Sequence, residues 1–388
     1  MRILIANDQF QGAGVENYLA AIVPALRSRG HHIATLSAMG GPVERDAVGD
    51  PHLCVAGADG ELSWQAARHW RPDVCFSHQI RDGGVDRRLL DMVPVLKFVH
   101  AYDATCVSGH KMFSVPSPQP CERRFGLACT AFYLPRRCGG LSPLTMLREF
   151  RQVSGRHVLL DRYRGIMVAS EHMHRECVRN GADARKVQVN PLFPTVRFPK
   201  AAAPTSDPSI VFVGRMTALK GGRLLIRAAA DASRRLGTPI HLTMVGDGPE
   251  RPDCEHLAAR LNVPGTFTGW RHGDDRWSWL QRASLLAVPG TWPEPFGLVG
   301  LEAAALGVPA IAFDTGGIRE WLTDGENGFL VPGKHPTASA FADGLVEAFR
   351  QPDRLRGMRH NACAAAHHLS LERHLDRLEQ TLLTTLHG

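Results

Sequence analysis

Short runs that are apolar throughout recur along this chain: "RILIA" (2–6), "HIATLS" (32–37), "DVCFS" (73–77), "VLKFVH" (95–100), "GIMVAS" (165–170) and "KVQVN" (186–190). They do not alternate apolar with polar residues. A strand reads this way when both faces of its sheet are covered, which is the condition of a parallel sheet. Helical stretches intervene, the first from Val15 to about Arg29. The pattern is βαβ repeated, with right-handed crossovers. It breaks at "FPTVRFPKAAAPTSDPS" (193–209), whose Pro, Ala and Ser mark an interdomain linker. It then restarts with "SIVFVG" (209–214), a helix from about Gly221 to Arg235, "IHLTMVG" (240–246), a helix near 250–261, "SLLAVPG" (284–290), a helix from about 297 to 306, and "PAIAF" (309–313). Two similar α/β halves with a cleft between them are the simplest architecture. "SLERHLDRLEQTLLTTL" (370–386) has a Ser cap and near-helical apolar spacing, so it predicts a terminal helix.

The chain has 388 residues, 44% of them hydrophobic and 21% charged, enough to build two cores. The formal net charge of +7 favours an anionic partner without choosing among nucleic acid, acidic lipid and a phosphorylated substrate. "MRILIANDQF" is too short an apolar start for a signal peptide. No apolar run approaches the roughly 18 residues of a membrane-spanning helix. The expectation is therefore a cytoplasmic protein whose nine cysteines are mostly reduced thiols.

In open α/β sheets ligands gather at the carboxyl ends of strands. After the first strand, Gly12 and Gly14 open a helix whose free N–H groups could take a phosphate; a tight turn is the equally simple reading. After "SIVFVG" come Arg215 and Lys220, followed by Gly221 and Gly222. Two cations at a strand end form a cup for a diphosphate, unless they are a solvated surface pair. Further on, "EPFGLVGLE" brackets a helix start with Glu294 and Glu302. Glu294 lies in the loop and Glu302 about 8 Å along the helix axis. Each carboxylate could hold the vicinal hydroxyls of one sugar of a nucleotide sugar, with the diphosphate on the helix N-terminus between them. A glycosidase acid/base pair leaves the cations without a role, and ordinary acids at a helix N-terminus are the plain alternative.

"VFVGRMTALKGG", "LTMVGDGPE", "VPGTWPEPFGLVGLEAAALGVPAIAFDTGGIREWLTDGENGFLVP" and "GAGVENYLAAIVPALRSRGHHI" together resemble the family-4 retaining glycosyltransferases of the GT-B fold, most closely over 209–333. The resemblance implies two Rossmann-like domains whose parallel sheets face a central cleft. It divides the chain into an acceptor-side domain over 1–198 and a nucleotide-sugar-binding domain over 199–369, with 370–388 packing back on the first. It implies transfer of a hexose-type sugar from a nucleoside diphosphate sugar to a hydroxyl acceptor with retained configuration. In that scheme Glu294 contacts the donor sugar and Glu302 the ribose. Arg215 and Lys220 hold the diphosphate, and Gly12 and Gly14 lie near the phosphates. The amides of Phe296, Gly297 and Leu298 meet sugar and phosphate. His100 stands near the reacting sugar, in a hydrogen-bonding and positioning role rather than as general base. The sequence contains no D-x-D triplet, so catalysis is read as requiring no cofactor and no divalent cation.

Cys106, Cys121, Cys129 and Cys138 cluster in an insert over about 101–143 and could bind a structural zinc as thiolates, with His110 able to replace one. None of these pairs is C-x2-C; buried thiols or chance disulfides are the alternatives. The region also holds Arg123, Arg124, Arg136, Arg137, Arg148 and Arg151, and "LREFRQVSGRHVLLDRYRG" reads either as an amphipathic helix on an anionic membrane or as a solvated face. "GDGPE" (246–250) and "TGWRHGDD" (268–275) are expected to border the base. Two rivals share these features: a nucleotide-sugar 2-epimerase and a non-catalytic nucleotide-sugar binder. The paired acids beside a cationic cup favour transfer and argue against a nucleic-acid partner.

Overall fold

A computed structural model describes residues 1–11, 14–43, 47–196, 208–271 and 273–387. Gly12 and residues 197–207 of the expected linker lie outside them. The elements run β1 (Arg2–Asn7), α1 (Val15–Ser28), β2 (His32–Ser37), β3 (His52–Cys54), α2 (Gly60–Trp70), β4 (Val74–Ser77), α3 (Gly83–Leu90), β5 (Val95–Val99), β6 (Met112–Phe113), β7 (Gln119–Pro120), α4 (Ala128–Tyr133), α5 (Pro143–His157), β8 (Gly165–Val168), α6 (Glu171–Arg179) and β9 (Val187–Val189). They continue with β10 (Ser209–Val213), α7 (Gly222–Leu236), β11 (His241–Val245), α8 (Arg251–Arg260), β12 (Gly265–Gly269), α9 (Gly273–Arg282), β13 (Leu285–Val288), α10 (Leu298–Ala305), β14 (Ala310–Phe313), β15 (Gly328–Val331), α11 (Ala338–Arg350), α12 (Pro352–His368) and α13 (Leu371–His387).

The chain forms two compact units. One comprises Met1–Lys111, Glu122–Pro191 and Leu371–Gly388; the other comprises Met112–Cys121 and Leu192–Ser370. The first holds a parallel sheet in the order β3-β2-β1-β4-β5-β8-β9. Ile3, Leu4, Ile5, Phe76 and Phe98 fill its centre with no more than 1% exposure, which is why these strands read as apolar on both faces. The second holds β12-β11-β10-β13-β14-β15, also parallel. Ile210, Phe212, Leu225, Ile226, Ile311, Phe313 and Phe341 form its core.

Two departures from the sequence reading concern the insert and the boundary. Met112–Cys121, with the short antiparallel pair β6–β7, groups with the second unit rather than the first, and the division falls at Pro191/Leu192 instead of 198/199. The terminal helix α13 belongs to the first unit and packs on β4, β5 and β8. Its anchor is His374: Tyr18 Oη donates to Nε2 at 2.7 Å, while Nδ1 donates to the Pro191 carbonyl at 2.8 Å. Asn190 Nδ2 donates to the His374 carbonyl at 3.0 Å, and Arg29 pairs with Asp376 and Glu379 at 2.7 and 2.8 Å.

Candidate functional site

Strand order reverses in the second sheet between β10 and β13, and in such sheets the loops that leave those two strands diverge to either side of a ligand crevice. Arg215 and Lys220 leave β10; Glu294 leaves β13. Residues 74 positions apart therefore meet. Lys220 Nζ donates to Glu294 Oε1 at 2.5 Å, and Trp292 Nε1 donates to the same oxygen at 2.7 Å. The Trp292 ring lies 5.0 Å from the ammonium, so the cation is held by a carboxylate and a π face together. Glu294 is 8% exposed. Arg215 is exposed and makes no ion pair among the described residues.

Backbone packing fixes this arrangement. Gly221 caps α7 in the left-handed region (φ 74°), and a Cβ there would stand 2.1 Å from the Pro289 carbonyl oxygen. No side chain fits, so the β10 and β13 loops can touch. Gly317 N–H donates to the Glu294 carbonyl at 2.7 Å, which ties the loop after β14 to the same segment. Gly297 (φ 83°) is the N-cap of α10 and offers no side chain to the first turn. Phe296 is buried, and its carbonyl accepts from Trp321 Nε1 at 2.7 Å. Leu298 begins the helix, whose leading N–H groups have no intrahelical partner and carry positive partial charge.

Glu302, one turn into α10, is 4% exposed. Its Oε1 accepts from Thr195 Oγ1 at 2.9 Å and faces Arg276 Nη2 at 3.3 Å. Burial pushes its carboxyl up to about 7, against the opposing pull of Arg276 and Thr195. The two glutamates are thus in different electrical environments, Glu294 clamped by a cation and Glu302 strongly desolvated. Met216 N–H donates to the Asp247 carbonyl at 2.8 Å, and Gly246 N–H to the Gly269 carbonyl at 2.9 Å, so "GDGPE" and "TGWR" flank the β10 loop. Trp270 is 55% exposed, and Arg271 pairs with Asp275 at 3.3 Å.

In the first unit Gly14 (φ 90°) is the N-cap of α1. His100 follows β5 and is partly exposed. Its Nε2 lies 2.9 Å from Nδ1 of His78, which follows β4 and is fully buried. Burial depresses both imidazoles, His100 to about 3, so both are neutral.

The four cysteines of the insert do not assemble. Cys121 groups with the second unit and the other three with the first. Cys129 donates to the Arg124 carbonyl and Cys138 to the Phe132 carbonyl, while Cys106 faces Ser108 and accepts from Lys111 N–H. Among the described residues no group of three His, Cys, Asp or Glu side chains is placed to hold a metal. Cys129 and Cys138 thus have local backbone partners. The expected zinc set does not fit this arrangement.

The family model "Glycosyl transferases group 1" matches residues 195–364. This part of the second unit is similar to the group 1 glycosyl transferases. The chain is 39% identical over 168 residues to the D-inositol 3-phosphate glycosyltransferase of Nocardia farcinica, covering 41% of this chain and 37% of that protein. It is 35% identical over 127 residues to the alpha-D-kanosaminyltransferase of Streptomyces kanamyceticus, covering 32% of each. The chain thus spans about a third of the length of these curated relatives. Structural likeness extends further. Anabaena HepE, solved with UDP, superposes with a TM-score of 0.69 at 19% identity over 99% of this chain and 100% of its own. Sucrose-phosphate synthase from Thermosynechococcus elongatus does so with 0.68 at 18% over 98% of each. These likenesses show the fold, which is GT-B.

The sequence reading named Glu294, Glu302, Arg215 and Lys220 and missed their companions. Trp292, Thr195, Arg276 and His78 were overlooked. His78 alone left a legible signal: it ends a strand as His100 does, and two parallel neighbours bring such positions together.

Proposed function

We propose that this chain is a retaining glycosyltransferase that moves a hexose-type sugar from a nucleoside diphosphate sugar to a hydroxyl acceptor. The observation that carries this is the Lys220–Glu294–Trp292 constellation at the reversal point of the second sheet, beside the start of α10. As the bond from anomeric carbon to phosphate oxygen breaks, electrons go to the diphosphate and the sugar becomes oxocarbenium-like. Lys220, Arg215 and the α10 dipole oppose that growing negative charge. Lys220 turns from Glu294 toward the diphosphate, and the released carboxylate accepts from sugar hydroxyls. Glu302 accepts from the ribose hydroxyls, and the amides of Phe296, Gly297 and Leu298 meet sugar and phosphate. Gly12 and Gly14 border the phosphates, and His100 donates to the reacting sugar. This chemistry asks for no metal.

HepE has been solved with UDP and with UDP-glucose, so UDP-glucose is the first donor to test. Incubation with and without an acceptor panel separates the readings. Free UDP with a new glycoside of the donor's configuration supports transfer. Conversion of the donor alone supports a 2-epimerase, and tight binding without turnover supports a binder.

The acceptor side also favours an anionic surface. Leu127, Leu141 and Leu144 are 79%, 66% and 80% exposed beside Arg123, Arg124 and Arg148. Exposed leucines interspersed with exposed arginines along 123–148 suit a peripheral seat on acidic lipid. No helix among the described residues is long and apolar enough to cross a membrane.

A further inference from the structure

We propose that His78 is a positioning residue that fixes the tautomer of His100, so that His100 presents an Nδ1–H donor, and not a basic lone pair, to a substrate hydroxyl. This rests on the reading of His100 as a residue that faces the sugar.

β4 and β5 are parallel neighbours with Ser77 opposite Lys97, so the segments that leave them run side by side. The two imidazole rings lie 5.3 Å apart at 25°, with His78 Nδ1 and His100 Nε2 in hydrogen-bond contact at 2.9 Å. Both rings are neutral, so one nitrogen of this contact carries the proton and the other accepts it. If His100 donated, the proton of His78 would sit on Nε2. That atom is buried and has no hydrogen-bond partner among the described residues. It would be an orphaned N–H, a rarity in folded proteins.

The surroundings oppose it further. His78 and His100 line a cavity of about 30 Å3 with Lys97, Arg156, Asp86 and Tyr163. The Lys97 ammonium acts on the His78 ring, and positive charge disfavours an N–H and favours a lone pair. Asp86 accepts from Ser77 Oγ and Lys97 Nζ, each at 2.7 Å, and no bond reaches it from His78 Nε2. His78 therefore donates from Nδ1, His100 accepts at Nε2, and the proton of His100 is on Nδ1.

The walls hold this state. The Phe98 ring lies 4.0 Å from His100 and the Phe76 ring 4.2 Å from His78, and the low dielectric strengthens the bond. Tyr18 sits edge-on to His100 at 5.8 Å, but its hydroxyl is committed to His374 and does not compete.

The test is the tautomer itself, read by long-range 1H–15N correlation on histidine-labelled protein and assigned with His100→Gln. The expected result in the wild type is a protonated Nδ1 and an unprotonated Nε2 on His100. A protonated Nε2 overturns the proposal. His78→Phe keeps the ring volume and removes the donor; it is expected to shift His100 toward Nε2–H and to lower kcat/KM for the donor by roughly 10-fold, the scale of one lost hydrogen bond. His78→Asn places an amide N–H where Nδ1 was and is expected to restore both. An unchanged His100 tautomer in His78→Phe overturns the proposal. The wild-type spectrum needs neither a variant nor turnover. A chain with the Nδ1–H tautomer that transfers no sugar therefore refutes the transferase reading and upholds the role of His78.

Discussion

Replacing Glu302 by Gln tests the site through its cost to the fold. Glu302 has its carboxyl raised from 4.5 to about 7 by burial. A raised acid binds its proton more tightly folded than unfolded, so stability falls as pH climbs from the unfolded value toward the folded one. At 1.36 kcal/mol per pH unit, a shift of this size is worth about 3 kcal/mol at pH 8 and under about 1 at pH 5. Gln is neutral at both, and its amide oxygen can still accept from Thr195. The variant is expected to melt roughly 5–10 °C above the wild type at pH 8 and to converge with it at pH 5, taking about 2–4 °C per kcal/mol for a unit of this size. UDP should reverse the ranking. Ribose hydroxyls donate to a carboxylate better than to an amide, so the variant is expected to bind UDP at least ~10-fold more weakly. Thermal unfolding across pH, with and without UDP, reads both effects. Equal melting of the two proteins at pH 8 refutes the strained carboxylate. Equal UDP affinity removes Glu302 from the ribose.

Lys220→Ala is expected to weaken donor binding and slow turnover together, and Glu294→Ala to lower turnover by at least ~100-fold; steady-state kinetics with UDP-glucose checks both. Gly300→Ala places a Cβ 2.0 Å from Trp321 Cη2, so an equilibrium denaturation curve is expected to show a loss of about 2 kcal/mol or more. Leu144→Asp is expected to abolish co-sedimentation with phosphatidylserine vesicles while leaving turnover of the soluble donor unchanged.

The fold was legible where strands were buried on both faces. "HIATLS" spans 32–37 in the sequence reading and His32–Ser37 in the structure, and the helix expected from about 297 to 306 is Leu298–Ala305. The strands overlooked lacked that apolar signature or its length. "GTFTG" is polar and unburied along β12, and "HLC" is three residues long. "GFLV" was seen only as part of the resemblance, not as β15. For the site, residue types after strand ends pointed to the right loops. The pairings did not follow, because a linear pattern carries no measure of which loops touch. Nothing in "TWPEP" announces that Trp292 and Lys220 grip one carboxylate oxygen, or that Thr195 would donate to Glu302. The zinc expectation rested likewise on proximity in sequence across 106–138, and among the described residues no group of three possible ligands forms.

The discontinuity of the first unit bears on how the chain is made. Leu375, Leu378 and Leu382 of α13 are at most 3% exposed and close the core against β4, β5 and β8, yet a ribosome delivers them only after residues 192–370. The nascent first sheet must wait, unfinished, while residues 192–370 emerge and fold. A protein shortened before Leu371 would leave Tyr18 and that apolar face uncovered. A chimaera that exchanges the second unit for a relative's must therefore be cut twice, near 191 and 370, and not once.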